Sequence, residues 1–214
     1  MTKIIAIDGP ASVGKSTLAK RISKKFKAPV LYSGKLYRAL ALKIIKRNIS
    51  FNNTEAILKC IKYIDLDNLS SAELYSSQVD NISSIISAKK QVRNKLVTLQ
   101  RSFPKKYGSG KKFAIIEGRD IGTIIFPKAN YKIFLWAASE VRAKRRYDQL
   151  RKNGKNVSYN KIFREINVRD QKDMTREIAP LMPAANSVLL DTSYIDIEQA
   201  FNAIKQIILK TKTI

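Results

Sequence analysis

Histidine is absent from the 214 residues. That removes an imidazole base, a Ser–His nucleophile and imidazole metal ligands from the chemistry open to the chain. Cysteine occurs once, at Cys60, so no internal disulfide can form, which fits a reducing cytosol. Glycine (8) and proline (6) are too scarce for a collagen-like or low-complexity chain. No run approaches the ~20 apolar residues of a membrane span. The apolar stretch Ile4–Ile7 is shorter than the about 7–15 residues of a signal-peptide core, so a soluble cytoplasmic protein is expected. Acidic residues are also few. Seventeen Asp+Glu face 41 Lys+Arg, a formal charge of +24 that favours polyanions, either nucleic acid or phosphorylated small molecules. A plain bias toward Lys, Ile and Asn explains the total equally well, so only the placement of particular arginines carries meaning.

What is present is a globular composition. At 44% hydrophobic content the chain can bury a sizeable core as one large domain with insertions. Lys3–Ile7 reads as a buried strand closed by Asp8-Gly9-Pro10, and a helix follows from Lys15 through Phe26. Pro29–Tyr32 is a second strand, with a helix from about Lys35 to Arg47. Residues 54–103 read as mostly helical. There Val92, Leu96, Leu99 and Phe103 form one apolar face, and Pro104–Gly110 is expected to be a loop. Phe113–Glu117, Tyr131–Trp136 and Val188–Leu190 supply three more strands. Two helices flank Lys152–Asn156, and Ile197–Leu209 closes the chain. Strands alternating with helices predict a parallel sheet joined by helical crossovers.

Gly9-Pro10-Ala11-Ser12-Val13-Gly14-Lys15-Ser16-Thr17 fits G-x-x-x-x-G-K-[ST] between a strand and a helix. In this motif the glycines let backbone N–H groups turn toward phosphate oxygens, and the helix N-terminus adds a positive dipole end. Lys15 can reach the terminal phosphates of ATP and Ser16 can ligate Mg²⁺. Lys15→Ala is expected to abolish turnover with little effect on folding, because the residue is placed in an accessible loop.

The arginines bear on the acceptor. Ser33-Gly34 with Tyr37-Arg38, and Gly118-Arg119-Asp120, each follow a strand end, where ligands sit in such sheets. Ile162, Ile166, Arg169, Asp173 and Arg176 form one helical stripe that turns from apolar to charged. The stripe is either a solvated face with i,i+4 pairs or the wall of a polar cavity that holds phosphates and a ribose hydroxyl. Arg142, Arg145 and Arg146 share one helix. They are either a generic basic surface or a cluster that neutralises a transferring phosphoryl group. A kinase acting on a phosphate needs no histidine base, since its nucleophile is already anionic.

Taken together, Ile7–Thr17, Tyr32–Arg38, Gly118-Arg-Asp-Ile-Gly-Thr123, Val168-Arg-Asp170 and Ala179–Ala185 make the sequence resemble the bacterial cytidylate (CMP/dCMP) kinases, in the family's order and over most of the chain. The resemblance implies an α/β, three-layer P-loop NTPase fold. A five-stranded parallel sheet would be flanked by helices and would carry a mostly helical nucleotide-binding insertion at about 38–112 and a helical lid at about 142–180. It implies that Ser33, Arg119 and Asp120 read the cytosine edge. Tyr37, Arg38 and Arg93 would belong to the CMP site, and Arg169, Asp173 and Arg176 would contact CMP phosphate and sugar. Arg142, Arg145 and Arg146 would open the lid. Tyr32 and Trp136 stand where the family usually has aspartate. The stretch between Arg38 and Ser71 is short, as though a strand pair were missing.

The expected reaction is Mg²⁺-dependent transfer from ATP to CMP or dCMP, by a monomer with no membrane or specific nucleic-acid partner. A related P-loop kinase acting on UMP or another acceptor is the alternative. A basic nucleic-acid-binding module that uses its P-loop as a switch is a third reading. The aromatic residues do not alternate with basic ones as that reading would require.

Overall fold

The computed structural model describes residues 1–66, 69 and 71–210. Five strands, β1 (Lys3–Asp8), β2 (Val30–Tyr32), β3 (Phe113–Glu117), β4 (Tyr131–Trp136) and β5 (Val188–Asp191), form one parallel sheet ordered β2-β3-β1-β4-β5. β1 lies at the centre, with Ile5 opposite Ile115 of β3 and Ile7 opposite Ile133 of β4. Helices α1 (Lys15–Phe26), α6 (Ser139–Lys152), α7 (Tyr159–Thr175) and α8 (Ile197–Lys210) accompany the sheet. Strands covered on both faces need apolar residues at successive positions, not alternate ones. Ile5, Ala6 and Ile7 are fully buried, and β3 is buried along its whole length. β5 is the exception: it is an edge strand with Val188 and Leu189 exposed.

Two compact units account for the chain, Met1–Val30 with Tyr107–Ile214, and Leu31–Lys106. Among the described residues of the second, the regular elements after β2 are all helical: α2 (Ser33–Lys46), α3 (Thr54–Ile61), a 3₁₀ turn at Ala72–Tyr75, α4 (Ser77–Ser87) and most of α5 (Lys90–Tyr107). Leu36, Leu40, Ile44, Ile57 and Ile86 build its core. Asn53 and Ser76 cap α3 and α4 by accepting from the N–H groups of Ala56 and Val79.

Two expectations shift. The second helix begins at Ser33, not about Lys35, directly on the end of β2. The segment expected as a loop from Pro104 is instead helical to Tyr107. Pro104 removes the bond to the Gln100 carbonyl, but its fixed φ of about −65° suits the helical turn that continues to Tyr107. Within the first unit, a smaller cluster of Ala143, Ile162 and Ile166, packed with Tyr147, Leu150 and Phe163, joins α6 to α7.

Candidate active site

β1 delivers Asp8 to the C-terminal edge of the sheet, and the phosphate loop turns back to start α1 at Lys15. Gly9 has φ 146, and a Cβ there would lie 2.3 Å from the Leu135 carbonyl oxygen, so the loop lies flat against β4. Ser12 (φ 59) and Gly14 (φ 99) supply the left-handed turns. Gly14 gives α1 no side-chain cap and the first turn holds no acidic residue, so the N-terminal dipole is not countered there.

Lys15 is not an accessible loop residue as expected. It is 5% exposed, and its Nζ donates to the Pro10 carbonyl at 2.6 Å. Burial pushes its pKa down to about 7. The charges of Arg119 and Arg169 add to the depression, and Glu117 and Asp8 oppose it. Asp8 is pushed up to about 6 by burial, although its carboxylate accepts from Gly122 N–H at 2.7 Å and Ile121 N–H at 2.9 Å.

Those two amides open a π-helical turn, Ile121–Ile125, which no sequence signal announced. The turn follows Gly118-Arg119-Asp120 and fixes where these residues stand; Asp120 is buried. Arg119 Nε pairs with Asp173 Oδ2 at 3.0 Å, and Arg176 Nη1 lies 3.6 Å from Asp173 Oδ1. Burial works to raise the pKa of Asp173, but Arg119, Arg169 and Arg176 override it and hold the carboxyl below its ordinary range. The charged end of the expected stripe therefore gathers with Arg119 into a compact cluster, of which Arg119 and Arg169 are close enough to act on Lys15. Ile162 and Ile166, at the other end, are core. Arg176 lies just past the end of α7, where its Nε donates to the Ala179 carbonyl at 2.5 Å.

Arg142, Arg145 and Arg146, grouped by the sequence as one charge-neutralising cluster, diverge. Arg142 is 2% exposed and pairs with Asp170. Arg145 turns toward the end of β5, where it donates to Thr192 Oγ1 at 3.1 Å and to the Thr192 carbonyl at 2.5 Å. Arg146 bonds Gln149 one turn along its own helix at 2.9 Å. Side chains on one face of a helix part company when each finds a different neighbour.

In the second unit, Ser33 is buried at the start of α2. Arg38 donates to the Leu74 carbonyl at 2.9 Å, pairs with Asp80 and lies over Tyr75. Arg93, 4% exposed, donates to the Ser87 carbonyl at 2.9 Å and stacks over Tyr37 at 5.9 Å. Of the four residues expected there, Tyr37 and Arg93 come together, whereas Arg38 pairs with Asp80.

Three acids to which sequence reading gave no role join the first unit's site: Asp8, Glu117 and Asp170, the last of them quoted only within the Val168-Arg-Asp170 motif. A carboxylate ending an otherwise apolar strand was the available signal for the first two. Ser16 Oγ donates to Glu117 Oε2 at 2.5 Å. These are oxygen donors beside a phosphate loop, the ligand type a hard divalent cation takes. No group of three or more Asp, Glu, Cys or His able to hold a metal occurs among the described residues. The oxygen donors Ser16 and Glu117 suit Mg²⁺, which keeps waters and shares its coordination with substrate phosphates.

The family model for cytidylate kinase matches residues 5–210. The chain belongs to that family. A cytidylate kinase of Fusobacterium nucleatum is 39% identical, with 98% of each chain covered. One from Methylocella silvestris is 41% identical over 94% of this chain and 91% of its own. Among solved structures, an uncharacterised protein of Eubacterium ventriosum (TM-score 0.57, 13% identity, 98% and 99% covered) has a similar fold. So does a Thermus thermophilus protein (TM-score 0.54, 16% identity, 99% and 98% covered). Membership of the cytidylate kinase family makes the chain a kinase, and ATP-dependent phosphoryl transfer goes with it. No helix among the described residues is long and apolar enough to cross a membrane.

Proposed function

We propose that the protein transfers the γ-phosphoryl group of ATP to CMP and dCMP, giving ADP with CDP or dCDP. The observation that carries this reading is the electrostatic meeting of two elements within the first unit. The phosphate loop presents Lys15, and the Arg119–Asp173–Arg176 cluster stands near enough for Arg119 and Arg169 to depress it. Cations brought together at such cost to one another suit a site that takes phosphate from two substrates.

In this reading residues Gly9–Thr17 hold the ATP phosphates. Ser16, with Glu117 beside it, would hold Mg²⁺, which would supply charge neutralisation between the phosphates. The nucleophile is a phosphate oxygen of CMP. A P–O bond forms there as the bond between the γ-phosphorus and the β,γ-bridging oxygen breaks. No proton need be removed, and the absence of histidine costs nothing. Catalysis is alignment plus neutralisation. Arg119, Arg169 and Arg176 orient the acceptor's phosphate, and Asp173 accepts from a sugar hydroxyl. Ser33, Arg119 and Asp120 read the cytosine edge. Tyr37, Arg38 and Arg93 are the further acceptor residues. Arg145 and Arg146, on the lid helices, exclude water. A polar site matched to cytosine leaves unpaired groups when uracil enters, which is how CMP would be told from UMP. The reading includes a monomer acting in the cytoplasm; Cys60, buried and free, suits a reducing compartment.

The test is ADP release from ATP–Mg²⁺ with CMP, dCMP, UMP or AMP as acceptor. Turnover with CMP and dCMP well above that with UMP and AMP is the expected result. Equal rates with all four would overturn the base-reading assignment.

A further inference from the structure

We propose that Arg142 and Asp170 are a positioning pair for the phosphate loop, acting through the backbone of Ala11. The proposal rests on the reading that this loop holds ATP, and it replaces the expectation that Arg142 neutralises the transferring phosphoryl group.

Both polar groups of Ala11 are engaged. Its N–H donates to Asp170 Oδ1 at 3.3 Å, and its carbonyl accepts from Arg142 Nη1 at 3.1 Å. The same Arg142 nitrogen pairs with Asp170 Oδ2, and Arg142 Nε donates to the Ala137 carbonyl at 2.8 Å. The guanidinium is therefore tied to the end of β4, to α7 and to the loop at once. Arg142 and Asp170 are 2% and 6% exposed, so neither is shielded by bulk water.

Three consequences follow from this geometry. First, Ala11 N–H is committed to a carboxylate, so it does not face a bound phosphate, and the cradle is left to amides farther along the loop. Second, a carboxylate on a phosphate loop would repel ATP unless a cation cancels it, and Arg142 supplies that cation. Its charge is spent on Asp170. Third, α6 and α7 each contribute one arm of the grip, so the loop's conformation depends on both helices being in place. A buried ion pair is not in itself a good stabiliser, since apolar residues of similar volume serve as well or better. What apolar residues cannot supply is the grip on both backbone polar groups of one residue, Ala11.

That contrast gives the test. Three variants are compared by thermal unfolding and by calorimetric binding of a non-hydrolysable ATP analogue with Mg²⁺: Arg142→Lys, Arg142→Met, and the double variant Arg142→Met with Asp170→Leu. Arg142→Lys keeps the charge but loses the fork, and is expected to weaken nucleotide binding about tenfold with Tm nearly unchanged. Arg142→Met leaves Asp170 unpaired and is expected to lose both affinity and Tm. The double variant is expected to recover Tm but not affinity. Wild-type affinity in the double variant would overturn the proposal. So would a loss of affinity that simply follows Tm across all three variants. If the double variant does not fold, Arg142→Lys decides alone: unchanged affinity overturns the proposal. Binding is measured without an acceptor, so failure of the CMP reading would leave this result standing. With acceptor present, the KM for ATP is expected to rise and the KM for CMP to stay within about twofold.

Discussion

Replacing Lys15 by methionine tests the electrostatics of the site most directly. Lys15 is buried, and its pKa falls from 10.5 to about 7. Each unit is worth about 1.4 kcal/mol. Carrying this side chain therefore costs the empty protein roughly 4 kcal/mol at pH 7, where the folded form is half neutral and the unfolded form fully charged. Methionine removes that cost and fills a similar volume. Asp8 and Glu117 lose a cation and the Pro10 carbonyl loses its bond, so a net gain of about 1–3 kcal/mol is expected. At about 2–4 °C per kcal/mol for a chain of this size, Tm rises by about 2–12 °C while turnover is abolished. The pH dependence has a fixed sign. A lysine whose folded pKa lies below its unfolded value leaves the unfolded state holding more protons between about pH 7 and 10.5, so wild-type stability rises with pH through that window. The advantage of the variant therefore shrinks toward pH 10. Thermal unfolding of both proteins without nucleotide, from pH 6.5 to 9.5, is the assay. A variant less stable than wild type at pH 7, or an advantage that grows with pH, would refute the reasoning.

Further outcomes follow from other contacts. Gly9→Ala sets a methyl group against the Leu135 carbonyl, backbone on backbone, so the loop must lift off β4. Loss of calorimetric ATP binding together with a Tm drop of several degrees is expected, and normal binding would count against the described loop geometry. Asp120→Ala should raise the KM for CMP far more than the KM for ATP in steady-state kinetics; equal effects would remove its base-reading role. Ile162→Ala empties part of the small cluster between α6 and α7. It should cost about 2–5 kcal/mol of local stability, read as faster proteolysis within 139–175.

The sheet was legible because β1 and β3 carry unbroken apolar runs, Ile4–Ile7 and Ala114–Ile116, each ending just before a glycine-containing turn. The donor loop was legible for a related reason: its backbone geometry needs glycine at fixed places, and glycine leaves a mark in sequence. The helical character of α5 followed from the spacing of Val92, Leu96 and Phe103; residues 67, 68 and 70 of the stretch expected to be mostly helical lie outside the described residues. What stayed hidden has no local signature. The π-helical turn after Asp120 offers its first two amides to Asp8, which lies more than a hundred residues earlier in the chain. Arg142 and Arg146 differ by four positions on one helix, yet one is buried against Asp170 and the other bonds its own helix. Spacing placed them on one face, and tertiary neighbours parted them. Lys15 was misjudged likewise, since a motif names the residue but not the walls around it.

The interruption of the first unit by the second bears on how the protein is made. Lys3 of β1 pairs with Phe113 of β3, roughly 110 residues later. At about 5–20 residues per second, a ribosome releases β1 some 5–20 seconds before its first strand partner exists. The intervening Leu31–Lys106 unit is compact on its own, so it can fold within that interval. Nascent chains should therefore pass through a stage with a formed second unit and an unpaired β1 whose apolar Ile4–Ile7 run is exposed. That strand is the segment a chaperone would shield, and its exposure ends only when β3 and β4 emerge to close on either side of it.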